Sequence, residues 1–345
     1  MTRPRFWRGI YLILTGILLY NLLPLQAQAV NSPAALSPSN TALSSTPSPS
    51  QVKASLVGQH KVLVDGQDQA TLKNLASNGA TLLADYGSFS LWSVSDTIQK
   101  QAANQRGVQV RDDLDEITLR NGVINTRLSS VPAVPTNLRQ SKVAANQLWM
   151  IQFAGPVKDE WVQNLNKLGI QLVSYIPANA YVIWGDGAAL TALEQQAATD
   201  PVIQWTGPYH PAYRLHPNLQ SGVEKKQLLD SQLVDVTVEF FSNSADVKTS
   251  VKNLLGLAGK IYRQPWNYGG LTDVSLQVPA GKLVEISGWP DVFNVEPWSA
   301  PQKRDEVQDQ IVAGNLTTNA GLTVPVAPGY LAWLQSKGFT ATPSD

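Results

Sequence analysis

The residues that could carry chemistry are few. The chain has three histidines (His60, His210 and His216) and no cysteine. Without cysteine there is no thiolate nucleophile, disulfide scaffold, zinc–thiolate site or iron–sulfur cluster. Three histidines, none in an H-E-x-x-H or H-G-T context, leave little material for a histidine metal cluster. A serine nucleophile needs a strained turn such as G-x-S-x-G, or G-T-S-[MLV]-A at a helix start. Neither occurs; the nearest approach is Ser287-Gly288-Trp289. There is no GxGxxG and no P-loop to cradle a nucleotide phosphate. Asp112, Asp113, Asp115 and Glu116 gather carboxylates without the spacing of a calcium loop, and they read as a solvated loop. His210, in Gly207-Pro208-Tyr209-His210-Pro211, reads as a packing or interface residue. Asn315-Leu316-Thr317 is a glycosylation sequon. The expectation is a chain with no catalytic residue, no cofactor and no metal.

Composition agrees with that expectation. The 345 residues carry 26 basic and 26 acidic side chains, and only 15% of them are charged, so the basic stripe of a nucleic-acid binder is missing. Apolar residues make up 43%, enough for more than one core. Arg3, Arg5 and Arg8 precede an apolar stretch that runs to about Leu25, and Ala27-Gln28-Ala29 follows. That order is a secretory signal with cleavage after Ala29. The stretch is shorter than the roughly 20 residues of a spanning helix, and Asn21 and Pro24 interrupt it, so an N-terminal anchor is the weaker alternative. Loss of the three arginines leaves 23 basic against 26 acidic residues, a balance of −3. The expected location is extracellular, with no membrane association after cleavage.

Stepping along the chain, one order of elements recurs three times. In the middle copy, Trp149 to Phe153 is a strand, Asp159 to Leu168 a helix, Ile170 to Ile176 and Ala180 to Trp184 two strands, Ala188 to Ala198 a helix, and Val202 to Trp205 a strand. Trp161, Val162, Leu165 and Leu168 have helical spacing, and Gly169 stops that helix. The order β-α-β-β-α-β returns from Val234 to Val295 and, more weakly, from Lys61 to Val110. The expected fold is α+β, with three tandem ferredoxin-like units whose antiparallel sheets carry both helices on one face. Trp149, Phe153, Trp161, Tyr181, Trp184 and Trp205 are expected to be core residues, not stacking platforms. Each sheet's uncovered face is where repeats touch or a partner docks. Asn121-Gly122 between alternating runs signals a hairpin within 116–127.

The expected organisation is a signal at 1–29 and a disordered Ser/Pro-rich tether at 30–55. Units at 56–128, 146–217 and 233–301 follow, joined by linkers at 129–145 and 218–232, with a C-terminal tail at 302–345.

Three stretches carry a resemblance. Ile151 to Val157, Leu172 to Val182 and Trp205 to Tyr213 resemble the N-terminal propeptide region of secreted bacterial subtilisin-like serine peptidases. Arg304 to Asn315 and Gly329 to Leu334 are similar to the junction that precedes the catalytic domain in such precursors. The resemblance covers most of 56–340. It implies inhibitory, chaperone-like modules and a subtilisin-like peptidase as partner, either in trans or as the missing part of a longer precursor. No motif for that family's catalytic Asp, His or Ser is present, so peptidase activity does not carry over to this chain. The segment expected to reach a peptidase cleft by strand addition begins at Glu296, Pro297, Trp298, Ser299, Ala300 and Pro301. The alternative is an extracellular structural or binding module with no peptidase partner.

Overall fold

The computed structural model describes residues 56, 58–103, 105, 107–128, 130–140, 146–301, 306–319, 321–326 and 329–339. The signal with Ala27 and Ala29, and the 30–55 stretch, lie outside the described residues. The chain forms β1 (Gln59–Asp65), α1 (Gln69–Ser77), β2 (Thr81–Asp85), β3 (Phe89–Ser95), α2 (Asp96–Ala102) and β4 (Val108–Val110). A 3-10 turn at Asp112–Asp115 leads into a hairpin of β5 (Glu116–Leu119) and β6 (Gly122–Asn125). Then come β7 (Gln147–Phe153), α3 (Asp159–Lys167), β8 (Gln171–Ile176), β9 (Ala180–Gly185), α4 (Gly187–Thr199) and β10 (Ile203–Pro208). Two short helices, α5 (Pro211–Arg214) and α6 (Pro217–Glu224), precede β11 (Leu233–Phe241), α7 (Val247–Gly256), β12 (Lys260–Tyr268), β13 (Leu271–Pro279), α8 (Leu283–Ser287) and β14 (Val292–Pro297). The described part of 302–345 is not a plain tail. It holds α9 (Glu306–Val312), a hairpin of β15 (Leu316–Asn319) and β16 (Leu322–Pro325), and α10 (Tyr330–Ser336).

The architecture is mixed α+β, with three four-stranded antiparallel sheets and two two-stranded ones among the described residues. The strand orders are β2-β3-β1-β4, β8-β9-β7-β10 and β12-β13-β11-β14. In each, the first and third strands of the set lie inside and the second and fourth lie at the edges. The helices start where short acceptors satisfy their free amides: Asp68 takes the Thr71 N–H at 3.0 Å, and Asp186 takes that of Ala189 at 2.7 Å.

Each sheet packs its helices on one face. Val62, Val64, Trp92 and Val94 meet Leu75 and Ala102 in the first. Trp149, Ile151, Phe153 and Ile183 meet Trp161, Leu165, Leu190 and Leu193 in the second. Val236, Val238, Phe240 and Val274 meet Leu254, Leu283 and Ile286 in the third. The aromatic residues expected in the middle core are there: Trp149, Phe153, Trp161, Trp184 and Trp205 are buried, and Tyr181 is half-buried against the same cluster.

The second faces of the three sheets differ. All seven residues of β7 are buried, so the middle sheet is covered on both sides. Leu148, Met150, Val182, Trp184 and Trp205 pack on that second side against Ile117 and Ile124 of the hairpin, Val134 and Leu138, Ala212 and Tyr213 of α5, and Phe241 of the third sheet. Two sequence expectations change here. The hairpin, placed in the first unit, packs into the middle core, and its two-residue turn is Arg120-Asn121 with Gly122 already paired to Leu119. Residues 129–145, read as a linker, contribute Val134 and Leu138 to that core, with a 3-10 turn at Thr136–Leu138. The 218–232 stretch begins within α6, and Leu228 packs on the third core while Leu229 stays exposed. The first sheet leans on the middle unit at Gly155. A Cβ there would stand 2.6 Å from Leu91 Cδ2 and 2.9 Å from Tyr86 Oη, and Tyr86 donates to the Pro156 carbonyl at 2.7 Å.

Ile124 is a direct test of the hairpin's role. If the hairpin is a lid on the middle core, Ile124→Ala costs about 2–5 kcal/mol of unfolding free energy, the usual cost of emptying a buried branched site. A peripheral hairpin would give under about 0.5 kcal/mol. Denaturant unfolding followed by tryptophan fluorescence separates the two.

Candidate binding face and its supports

The third sheet's second face is largely polar. Paired residues share a face, so the register sets Asp235, Thr237 and Glu239 of β11 beside Asp273, Ser275 and Gln277 of β13. Asn294 and Glu296 of β14 lie on the other side of β11. The groups are already hydrogen-bonded to one another. Tyr262 Oη and Gln277 Nε2 donate to Asp235 Oδ1 at 2.8 and 2.9 Å, and Thr237 Oγ1 lies 2.9 Å from Ser275 Oγ. Asn294 Nδ2 donates to Glu239 at 3.0 Å and to Glu296 at 2.6 Å. Burial raises the pKa of Glu239, and to a lesser degree the Asn294 hydrogen bond lowers it. Burial likewise raises that of Asp273, with the Arg263 charge working against it.

The outer rim is aromatic and basic. On β12, Arg263 stacks over the Trp266 ring at 4.6 Å, and Trp266 lies nearly parallel to Tyr268. Trp266 is 46% exposed and Tyr268 71%, which leaves this ladder open to solvent. Tryptophan, tyrosine and arginine are the side chains that contribute most at protein–protein contacts. The edge of β12 is less suited to pairing. Its register breaks between Ile261 and Arg263 and again between Arg263 and Trp266, and Pro265 lacks an amide. A partner is therefore better met by the face than by this edge.

The six residues expected in a peptidase-contacting tail divide into two groups. Glu296 and Pro297 lie inside β14, opposite Thr237 and Val236. Glu296 also pairs with Arg120 from the hairpin turn. Trp298 continues this register: its amide donates to the Asp235 carbonyl at 2.9 Å, and its ring stacks on Tyr262 at 3.9 Å. Ser299, Ala300 and Pro301 are exposed and belong to no element. The extended segment therefore starts at Ser299. Strand β14 itself is blocked near its middle, where Leu215 pairs with Val295 and the His216 amide donates to the Val295 carbonyl.

A buried arginine ties this sheet to the middle unit. Arg214 is 1% exposed. Its guanidinium donates to the Tyr209 carbonyl from Nε and Nη2, to the Trp289 carbonyl from Nη1 at 2.7 Å, and to Gln140 Oε1 from Nη2 at 2.8 Å. Burial pulls its pKa down to about 10, so it stays charged at neutral pH. Sequence reasoning passed over Arg214 because its acceptors are carbonyls, which no side-chain pattern marks.

The other groups considered for chemistry have structural partners. The 112–116 carboxylates are not a solvated loop throughout: Asp115 is buried beside Lys61, with Asp115 Oδ1 3.0 Å from Lys61 Nζ, and Asp112 holds His60 Nδ1 at 2.6 Å. Among the described residues no three His, Asp or Glu side chains are grouped to hold a metal. His210 Nδ1 accepts the Gln140 amide at 3.0 Å. Burial first, then the Arg139 and Arg214 charges, pull the His210 pKa from 6.5 to about 4. Burial also lowers that of His60, but its hydrogen bonds to the carboxylates of Asp112 and Asp96, with the Asp112 charge, more than offset it and leave it raised.

The two histidines act in opposite pH windows. His210 is neutral when folded, so its contribution is complete above about pH 6.5. It is lost as pH falls from there to about 4, by at most about 3 kcal/mol. His60 contributes fully below about pH 6.5 and loses that contribution as pH rises through its raised folded pKa. Stability measured against pH should thus fall on both sides of about 6.5. His210→Gln should flatten the acid arm only, and His60→Gln the alkaline arm only.

Residues 118–210 match the model of a domain of unknown function, DUF8729. The matched stretch runs from within β5 to just past β10, so it contains the middle sheet together with most of the hairpin and with Val134 and Leu138, which help to cover it. No curated protein and no solved structure matches the chain.

Proposed function

We propose that the chain is a non-catalytic, extracellular pro-region that binds a subtilisin-like serine peptidase as inhibitor and folding chaperone. In this reading its three sheets are ferredoxin-like units. The strand order with the first and third strands central, repeated three times with both helices on one face, supports the unit assignment. The partner class rests on the sequence resemblance. One observation supports the binding mode: the third sheet keeps a largely polar second face with an exposed Arg263–Trp266–Tyr268 rim, and Ser299, Ala300 and Pro301, where the chain leaves that sheet, are exposed and belong to no element. The face docks on the peptidase, and the stretch from Ser299 onward enters the substrate cleft by strand pairing.

The test is to mix the purified full chain with subtilisin-like peptidases and record both inhibition and recovery of activity from acid-denatured peptidase. Saturable inhibition and faster refolding at micromolar concentration are expected. Trp266→Ala and Arg263→Ala should each weaken inhibition by about tenfold or more, the scale of an interface hot spot, with little change in melting temperature because both side chains are exposed. An inert chain in both assays would leave the alternative, an extracellular binding or structural module without a peptidase partner.

A further inference from the structure

A cleft of about 360 Å³ lies where the second face of the first sheet meets the middle unit. That is within the size range of small-molecule sites, and it is far from the face discussed above. One wall is β1 and β2 with Lys61 and Leu83; the other is the middle unit with Ala154, Pro201 and Gln204; Asp115 and Arg127 close one side.

The polar groups of the cleft are matched with one exception. Lys61 Nζ donates to the Leu114 carbonyl at 3.2 Å and pairs with Asp115. Gln204 Nε2 donates to Asp115 Oδ1 at 2.6 Å and to Thr126 Oγ1 at 2.9 Å. Thr126 Oγ1 in turn lies 2.6 Å from Gln152 Oε1. His60 is held between Asp96 and Asp112. Arg127 is the exception. Its side chain is 22% exposed, and its Nε is buried without a hydrogen-bond partner. Its one charge contact is Asp115 Oδ2, 3.5 Å from Nε, which is too long and misaligned for a hydrogen bond. A buried Nε–H with no acceptor is costly to leave in that state.

We propose that this cleft binds a small monocarboxylate, with its carboxylate on the Arg127 guanidinium and its apolar body against Leu83, Ala154 and Pro201. Three observations select that ligand. A planar guanidinium with free donors matches a carboxylate in a two-bond fork. Lys61 is paired with Asp115 and His60 lies between Asp96 and Asp112, so Arg127 is the cleft cation without a hydrogen-bonded counter-ion, and one negative charge matches it. Asp112 and Asp113 stand close enough to act on the Lys61 charge, which further disfavours a doubly charged phosphate. Leu56, Leu83, Ala154 and Pro201 give the cleft an apolar side, set among the hydroxyls of Thr81, Ser93 and Thr199, that suits a short hydrocarbon or side-chain body. The site does not depend on the peptidase reading, since it shares no residue with the third sheet.

The test is titration of the full chain with hexanoate, 4-phenylbutyrate and N-acetyl-leucine, with inorganic phosphate as the dianion control, read by calorimetry and by the Arg Nε–Hε resonances. The expected result is saturable binding of at least one carboxylate, a shifted Arg127 signal, and weaker or no binding of phosphate. Arg127→Gln should weaken binding by about tenfold or more, and Arg127→Lys less. Leu83→Trp, which fills the cleft but leaves Arg127 in place, should abolish it. The amide spectrum of each variant shows whether it is folded. No saturable binding up to about 10 mM, binding unchanged in folded Arg127→Gln, or phosphate bound more tightly than every carboxylate would overturn the proposal.

Discussion

The strand Gln147–Phe153 is buried on every residue, and much of the molecule follows from that constraint. A small four-stranded sheet with two helices can cover only one face. In the middle sheet the other face is also apolar, with Leu148, Met150, Val182, Trp184 and Trp205. At about 25 cal/mol per Å² of buried apolar area, leaving such a face wet would forfeit several kilocalories per large side chain. The chain answers with pieces taken from before and after the sheet: the hairpin, Val134 and Leu138, the helix at Pro211–Arg214, and Phe241 at the end of the next sheet. The three sheets are therefore not independent beads. The described residues from 58 onward belong to one compact unit, in which the middle sheet is completed by pieces from before and after it.

Apolar cover has little directional preference, so polar joints set the fit. Arg214 draws carbonyls of Tyr209 and Trp289 and the Gln140 side chain onto one guanidinium, and these belong to the middle unit, the third unit and the covering segment. Lys61, Asp115, Gln204, Thr126 and Gln152 do the same between the first sheet, the hairpin and the middle sheet. A buried charge that loses its partner costs about 3–5 kcal/mol, so a slip at either joint is penalised far more than a slip of apolar contacts. The same strictness makes the unmatched Arg127, at the margin of the second joint, stand out.

The alternation of elements was legible in the sequence because it is local. Helical spacing at Trp161 and Leu165, glycine stops such as Gly169 and the alternating run at Val234–Phe241 place the strands and helices of the three repeated units within a few residues, but not α5, α6 or the elements from α9 to α10. The cover was not legible. Val134 and Leu138 sit in a Pro- and Ser-rich stretch whose composition reads as linker, and only the sheet they land on gives them a role. Asp115 looked solvated beside its acidic neighbours because its partners, Lys61 and Gln204, are 54 and 89 residues away in the chain. Glu296 and Pro297 looked like the start of a tail because Pro297 ends the apolar alternation, yet backbone pairing to Val236 and Thr237 carries the strand through both.

The contrast between the second and third sheets is written in alternate residues. Both have the same strand order and the same helix-covered face. On their other faces, the positions that read Leu148 and Met150 in β7 read Asp235, Thr237 and Glu239 in β11, with apolar residues only at its two ends, Leu233 and Phe241. A period-two pattern thus decides which sheet becomes the interior and which keeps a largely polar second face. Phe241 marks the boundary between the two regimes: it seals against Trp184 of the middle sheet, with ring centroids 5.4 Å apart, while the residues two and four positions before it turn polar. Along the far edge Arg263, Trp266 and Tyr268 stay stacked in solvent, and in the proposed reading their burial by a partner would recover area that folding leaves exposed.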